Sequence, residues 1–269
     1  MDTFSIVVPV YNEARRLPIL FAALSAEADL HARSAGLQLV EVIAVDDGST
    51  DETPELVETR ADGDDRLRLI RLERNRGKGA AVRRGVLDST ATYVLVTDVD
   101  LSTPLSDLGA LVAALREGND LALGSRALAS SNVAVRQRLH REVMGKSFNA
   151  LLRLATGLPY RDTQCGFKLF RLETTRVLFE VQQIDGFAFD AELCLNARRL
   201  GLRVAEVPVT WLDNRDTKVK LVRSSSQMVC DLVRLGRIAR QPLPRPPTTV
   251  DMTRPAEVQL GEPAQGKPD

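Results

Sequence analysis

The sequence predicts an α/β protein: a mostly parallel central sheet with helices on both faces. Three observations lead there. Short β-rich apolar runs recur through the first half of the chain, at Phe4–Val10, Val40–Val45, Leu67–Leu72, Tyr93–Thr97 and Asp120–Gly124. Stretches with helical spacing lie between them, and strands alternating with helices of this length build parallel sheets covered on both sides. The chain has 269 residues, enough for a real core in one large α/β domain or two small ones.

The first strand ends at Pro9-Val10 and is followed by Tyr11-Asn12-Glu13, then by a helical pattern carrying Leu17, Leu20, Phe21 and Leu24. The second runs into Asp46-Asp47-Gly48-Ser49-Thr50-Asp51, a polar turn leading to a helix with acids in its first turn. After the third strand, Asn75-Arg76-Gly77-Lys78-Gly79 opens another helix. The fourth strand ends in Asp98-Val99-Asp100-Leu101-Ser102, and Leu105 to Leu115 reads as a helix. No internal repeat is visible.

Composition narrows the classes. The chain is 44% hydrophobic and 27% charged, with 36 basic and 36 acidic residues, so no net charge draws it to nucleic acid or membrane. Aromatic residues make up only 4%, too few for base-stacking platforms. The three widely spaced cysteines (Cys165, Cys194, Cys230) argue against a disulfide framework or a zinc cluster, and a reducing cytosol is expected. The start of the chain lacks a basic leader, and no apolar run reaches the roughly 18–20 residues of a spanning helix. No Gly-x-Gly-x-x-Gly follows the first strand and no Walker-type loop is present, which disfavours a dinucleotide enzyme or a P-loop NTPase.

What remains is a set of acids and one lysine at successive strand ends. Strand alternation points Asp98 and Asp100 to the same side, where two like charges need a cation nearby. Read alone, Asp-x-Asp is either a divalent-metal site for a diphosphate or a polar loop that caps the next helix. Asp46-Asp47-Gly48-Ser49 is by itself either a turn and cap or a ligand loop, and Gly77-Lys78-Gly79 either an exposed loop or a phosphate contact. Together at one sheet edge they describe a nucleotide-diphosphate site without a glycine-rich phosphate loop.

These motifs, in this order and spacing, resemble glycosyltransferase family 2 and its GT-A fold: Val-Pro-Val-Tyr-Asn-Glu, Val-Asp-Asp-Gly-Ser-Thr-Asp, Asn-Arg-Gly-Lys-Gly and Asp-x-Asp. Farther on, Gly124-Ser125-Arg126, Arg161 to Phe170 and Gly186 to Leu193 resemble dolichyl-phosphate β-glucosyltransferases and their prokaryotic polyprenyl-phosphate relatives. The resemblance implies a Rossmann-like domain over residues 1–240, with a nucleotide-sugar half (1–130) and an acceptor half (131–240). It implies that Pro9, Tyr11, Glu13, Asp46 and Asp47 hold the base and ribose, with Lys78 beside them. Asp98 and Asp100, with Ser102 as a further ligand, would hold Mg²⁺ or Mn²⁺ against the diphosphate. Arg126 and Arg141 would meet the acceptor phosphate, and the acidic pair Asp190 and Glu192 would lie near the sugar and acceptor. The implied reaction is inverting transfer of glucose from a UDP-sugar, ahead of a GDP-sugar, to a polyprenyl phosphate. Alternatives are a family member acting on a sugar hydroxyl, with Asp190 as base, and a nucleotide-sugar-binding module without turnover. The sequence departs from the polyprenyl-phosphate pattern at Asp213 to Lys218.

A lipid acceptor requires access to a bilayer. Val133–Leu154 and Lys218–Arg240 are basic and amphipathic, suiting either a peripheral position on the cytoplasmic membrane face or packing on the core. Residues 241–269 are rich in Pro, Gly and Glu and are expected to be a disordered tail. His31 and His140 read as surface residues. Trp211 reads as a sugar platform or a strand core residue, and Cys165 as small-residue packing.

Overall fold

A computed structural model describes residues 1–133, 151–212 and 221–242. Arg141, His140, the Asp213–Lys218 departure, most of the first amphipathic segment and the tail beyond Pro242 lie outside the described residues.

The central sheet has seven strands in the order β3-β2-β1-β4-β7-β5-β8. They are β1 (Asp2–Val10), β2 (Leu37–Asp46), β3 (Leu67–Arg71), β4 (Tyr93–Val96), β5 (Leu121–Ser125), β7 (Lys168–Arg171) and β8 (Val204–Pro208). Each expected strand is present within a few residues of its expected bounds. All neighbours pair in parallel except β7, which runs antiparallel to both β4 and β5. A two-stranded parallel ribbon, β6 (Asn132–Val133) with β9 (Thr210–Trp211), lies apart from the sheet.

The central strands β1, β4 and β5 are buried on both faces over most of their length because they are mostly apolar, whereas the edge strand β3 carries Arg68 and Arg71 and is only partly buried. On β1, Phe4, Ile6, Val8 and Val10 join one core, while Val7 joins the other. The first core lies under α1 (Leu17–Ala23), which passes through a π-helical turn (Leu24–Ala28) into α2 (Asp29–Ser34), and under α3 (Thr53–Ala61) and α5 (Leu108–Arg116). The expected helix from Leu105 begins as a 3₁₀ turn (Leu105–Asp107) before α5. The second core lies under α4 (Lys78–Asp88), α6 (residues 151–156), α7 (Leu172–Glu180), α8 (Phe189–Arg199) and α9 (Leu221–Ile238).

Leu235 and Ile238 of α9 are buried in that second core, whereas Val233 and Arg234, Arg237 and Arg240 face outward. The core therefore takes part of the apolar stripe on this amphipathic segment. Among the described residues, no helix is long and apolar enough to cross a membrane.

The parallel strands β1, β2, β4 and β5 all present their C-terminal ends at one edge, the edge where α/β sheets bind ligands. Antiparallel β7 adds its beginning to that edge, since Lys168 pairs with Val96 on one side and Leu123 on the other. The loop entering β7 is thereby placed beside the loops leaving β4 and β5.

Candidate active site

The site begins with two interlocked loops. Asn12, in a left-handed conformation with φ 53°, donates its backbone N–H to Ser49 Oγ (2.8 Å) and accepts the Thr50 N–H (2.9 Å). The Glu13 N–H donates to Thr53 Oγ1 (2.8 Å), so the turn after β1 is fastened to the turn after β2. Pro9 pairs with Val45 and is partly buried, whereas Tyr11 is 42% exposed beyond the end of the strand. Glu13 lies against Arg16 at 3.3 Å.

Asp46 is fully buried at the end of β2. Its Oδ1 accepts the Ser49 N–H (3.0 Å), while among the described residues Oδ2 makes no hydrogen bond and has Arg71 Nε at 3.4 Å. A buried acceptor with a distant partner is costly unless a ligand donor completes it.

Asp47, next along the same turn, is 4% exposed. Its two oxygens accept the backbone N–H groups of Arg76 (2.7 Å) and Gly77 (2.8 Å), and burial raises its pKa against those bonds. Asp47 thus holds the loop that carries Lys78. Gly77 completes the loop at φ 118°, and a Cβ there would overlap the Asp185 carbonyl. In Asp47→Asn an amide NH₂ would face one of the two backbone donors, and a loss of about 1–3 kcal/mol in stability is expected. Denaturant unfolding checks this, and an unchanged midpoint would refute the clamp.

Lys78 opens α4 and reaches Asp98 Oδ1 at 2.5 Å. The pair is 18% and 39% exposed, so it sits at an open edge and not within the core. Burial opposes the Lys78 charge, but Asp98, Asp190 and Asp100 outweigh it and raise its pKa. One carboxylate therefore pairs with this ammonium, and Asp190 and Asp100 lie close enough to bear on its charge. The expectation that residues 98 and 100 converge with the Lys78 loop is met. Leu101, held at φ 45°, turns the chain directly after the acids. An L-residue with a branched side chain pays about 1–2 kcal/mol there, a strain typical of functional loops. Ser102, expected as a ligand, donates its N–H to Asp100 Oδ1 (3.1 Å) and so shapes the acidic loop.

Across the edge, Arg126 follows β5. Its Nε and Nη2 grip Asp162 at 2.7 and 2.9 Å, and its guanidinium lies 5.6 Å from the centre of the Trp211 ring. Asp162 is 2% exposed, and Glu206 in turn accepts the N–H groups of Arg161 and Asp162. Burial works against the Asp162 charge, but Arg126 wins and its pKa falls. Trp211 is mostly buried under Arg126, closer to the strand-core reading of that residue.

Asp190 and Glu192, expected as an acidic pair, separate. Asp190, in the first turn of α8, meets Lys168 Nζ at 2.6 Å. Burial raises the Asp190 pKa, offset in part by Lys168 and Lys78. Glu192 accepts the Gln183 and Ile184 N–H groups (both 2.7 Å) and fixes the loop before α8. Two positions apart on a helix, the side chains leave about 200° apart, so both cannot face one substrate. The sequence reading missed Lys168 and Asp162. The visible signal was one charge inside the apolar run Phe167 to Phe170 and an acid within reach of Arg126 only after folding.

The carboxylates suit a hard divalent cation. Among the described residues no three His, Cys, Asp or Glu side chains form a self-sufficient cage, so a cation on Asp98 and Asp100 would complete its shell from diphosphate oxygens and water.

Comparison with known proteins bears on this geometry. The dolichyl-phosphate β-glucosyltransferase of Dictyostelium discoideum is 36% identical over 244 residues, covering 86% of this chain and 73% of that one. The human protein of the same name is 33% identical over 237 residues, covering 85% and 73%. Glucosyl-3-phosphoglycerate synthase from Mycobacterium tuberculosis, solved with Mn²⁺, UDP-glucose and phosphoglyceric acid, superposes with a TM-score of 0.65 at 22% identity, covering 90% of this chain and 81% of that one. That likeness shows the GT-A fold. The sequence model described as Glycosyl transferase family 2 matches residues 5–179. The chain belongs to glycosyltransferase family 2 and is a glycosyltransferase.

Proposed function

We propose that this enzyme transfers glucose from UDP-glucose to a polyprenyl phosphate of the dolichyl type, with inversion at the anomeric carbon, at the cytoplasmic face of a membrane. The observation that carries the reading is the convergence of Lys78, Asp98, Asp100 and Asp190 at one sheet edge. The names of the relatives at 33–36% identity support the acceptor and the sugar.

In this reading the buried Asp46 accepts a donor group of the nucleotide, and Tyr11 and Pro9 flank the base. Asp98 and Asp100 would hold Mg²⁺ or Mn²⁺, which when bound supplies positive charge to the departing diphosphate. Lys78 adds a fixed charge beside it. The acceptor phosphate, at about −1.5 to −2 charges near neutral pH, needs no general base. The work left to the protein is placement and charge balance. Arg126 is already oriented by Asp162 through Nε and Nη2, and among the described residues its Nη1 has no hydrogen-bond partner, so it would meet the acceptor phosphate. The outward residues Val233, Arg234 and Arg237 on α9 support a peripheral position.

The test is transfer of radiolabel from a panel of UDP- and GDP-sugars to polyprenyl phosphate with Mg²⁺ or Mn²⁺. Label from UDP-glucose should enter the organic phase, and no label from any donor sinks the acceptor assignment. Arg126→Ala should raise the KM for polyprenyl phosphate by about tenfold to a hundredfold, the equivalent of one charge-assisted contact. A second reading, transfer to a sugar hydroxyl, draws on the raised pKa of Asp190, which suits a base. It predicts strict dependence on the residue-190 carboxylate and indifference to Arg126→Ala.

A further inference from the structure

Lys168 has no role in the reaction described so far, and its surroundings call for one. It begins β7 inside the run Phe167-Lys168-Leu169-Phe170 and is 1% exposed. Burying an ammonium costs several kcal/mol, and an apolar residue in such a place is often at least as stable. Its charge is compensated by Asp190 Oδ1 at 2.6 Å, and it also donates to the Cys165 carbonyl.

Those two contacts come from different elements. Asp190 belongs to α8, beside the acids around Lys78. Cys165 belongs to the loop that includes Asp162, the partner of Arg126, and Gly166, where a Cβ would overlap the Asp98 carboxylate. One ammonium therefore ties the loop behind Arg126 and Asp98 to the acid at the start of α8. Asp98, Lys78, Asp190 and Lys168 together alternate in charge along the sheet edge.

We propose that Lys168 is a positioning residue of the glycosyl transfer: through its ion pair it keeps the Asp190 carboxylate aimed at the transferred sugar while anchoring the Asp162–Phe167 loop. The role rests on the proposed transferase reading and on the place near the sugar that the family resemblance implies for Asp190, and it does not depend on which acceptor is used.

The test is kinetic. Lys168→Gln keeps a donor for Asp190 and Cys165 but removes the charge. It should lower kcat by about 10²-fold, the scale of a misplaced reacting group, with KM for UDP-glucose within about threefold. The charge-free double variant Lys168→Gln/Asp190→Asn, which keeps a donor for the Cys165 carbonyl, should be no slower than Asp190→Asn alone, because the Lys168 charge acts through that acid. A folded Lys168→Gln enzyme with kcat within about threefold of the wild type overturns the proposal, as does a loss residing wholly in KM. A double variant much slower than Asp190→Asn also overturns it. If Lys168→Gln does not fold, the double variant decides by the same comparison.

Hydrolysis of UDP-glucose by water is measured beside transfer in every variant. A wild type that hydrolyses the donor but leaves polyprenyl phosphate unglycosylated loses the acceptor assignment. The Lys168 effect on hydrolysis then still reads the positioning role.

Discussion

Asp98→Asn is expected to lower kcat/KM for transfer by about 10³-fold or more while the protein stays folded. The magnitude is that of removing a group that stabilises charge developing on the leaving diphosphate. The substitution is nearly isosteric, and the side chain is 39% exposed, so its structural cost is small. Lys78 loses its 2.5 Å partner but keeps Asp190 and Asp100 nearby. Calorimetry with UDP-glucose and Mn²⁺ should show weakened donor binding, and thermal unfolding should be nearly unchanged. Activity within tenfold of the wild type would remove Asp98 from the reaction.

The second large effect should come from a residue with no side chain. A methyl group at Gly166 would overlap the Asp98 carboxylate, with both carboxylate oxygens inside ordinary contact distance. In Gly166→Ala either the loop entering β7 retreats or Asp98 turns away from Lys78. A displacement near 1 Å at a reacting centre costs about 10²-fold in rate. The expected outcome is a fall of that order in kcat with a modest change in unfolding midpoint. Gly109→Ala is the control: a Cβ there meets nothing within 4 Å in α5, so activity should be unchanged and stability equal or up to about 1 kcal/mol higher. Comparable losses in both variants would mean that the Gly166 effect is not local to Asp98.

Much of the donor half was legible before folding. Each of its strands is a largely apolar run that ends at a polar turn, so strand ends and loop contents could be read together. That placed Asp46, Lys78, Asp98 and Asp100 at one edge, and the structure joins Lys78 to the acids there. The acceptor half was less legible. Arg126 and Asp190 were singled out, but Asp162 and Lys168, which hold them, were not. Asp47 and Glu192 read in sequence as site acids, and the structure shows each accepting a pair of backbone amides.

What the chain determined by itself was the alternation of strands and helices and the chemistry available at each strand end, because apolar periodicity and turn residues act over a few neighbours. What only the tertiary structure decided was partnership. Asp47 finds its amides across 29 and 30 residues, Arg126 finds Asp162 across 36, and Lys168 meets Asp190 only because β7 enters the sheet antiparallel between β4 and β5. A carboxylate reads the same in sequence whether it faces a ligand or a backbone N–H. The physical reason is that its role is set by which donors packing brings within about 3 Å, and that distance is a property of the fold.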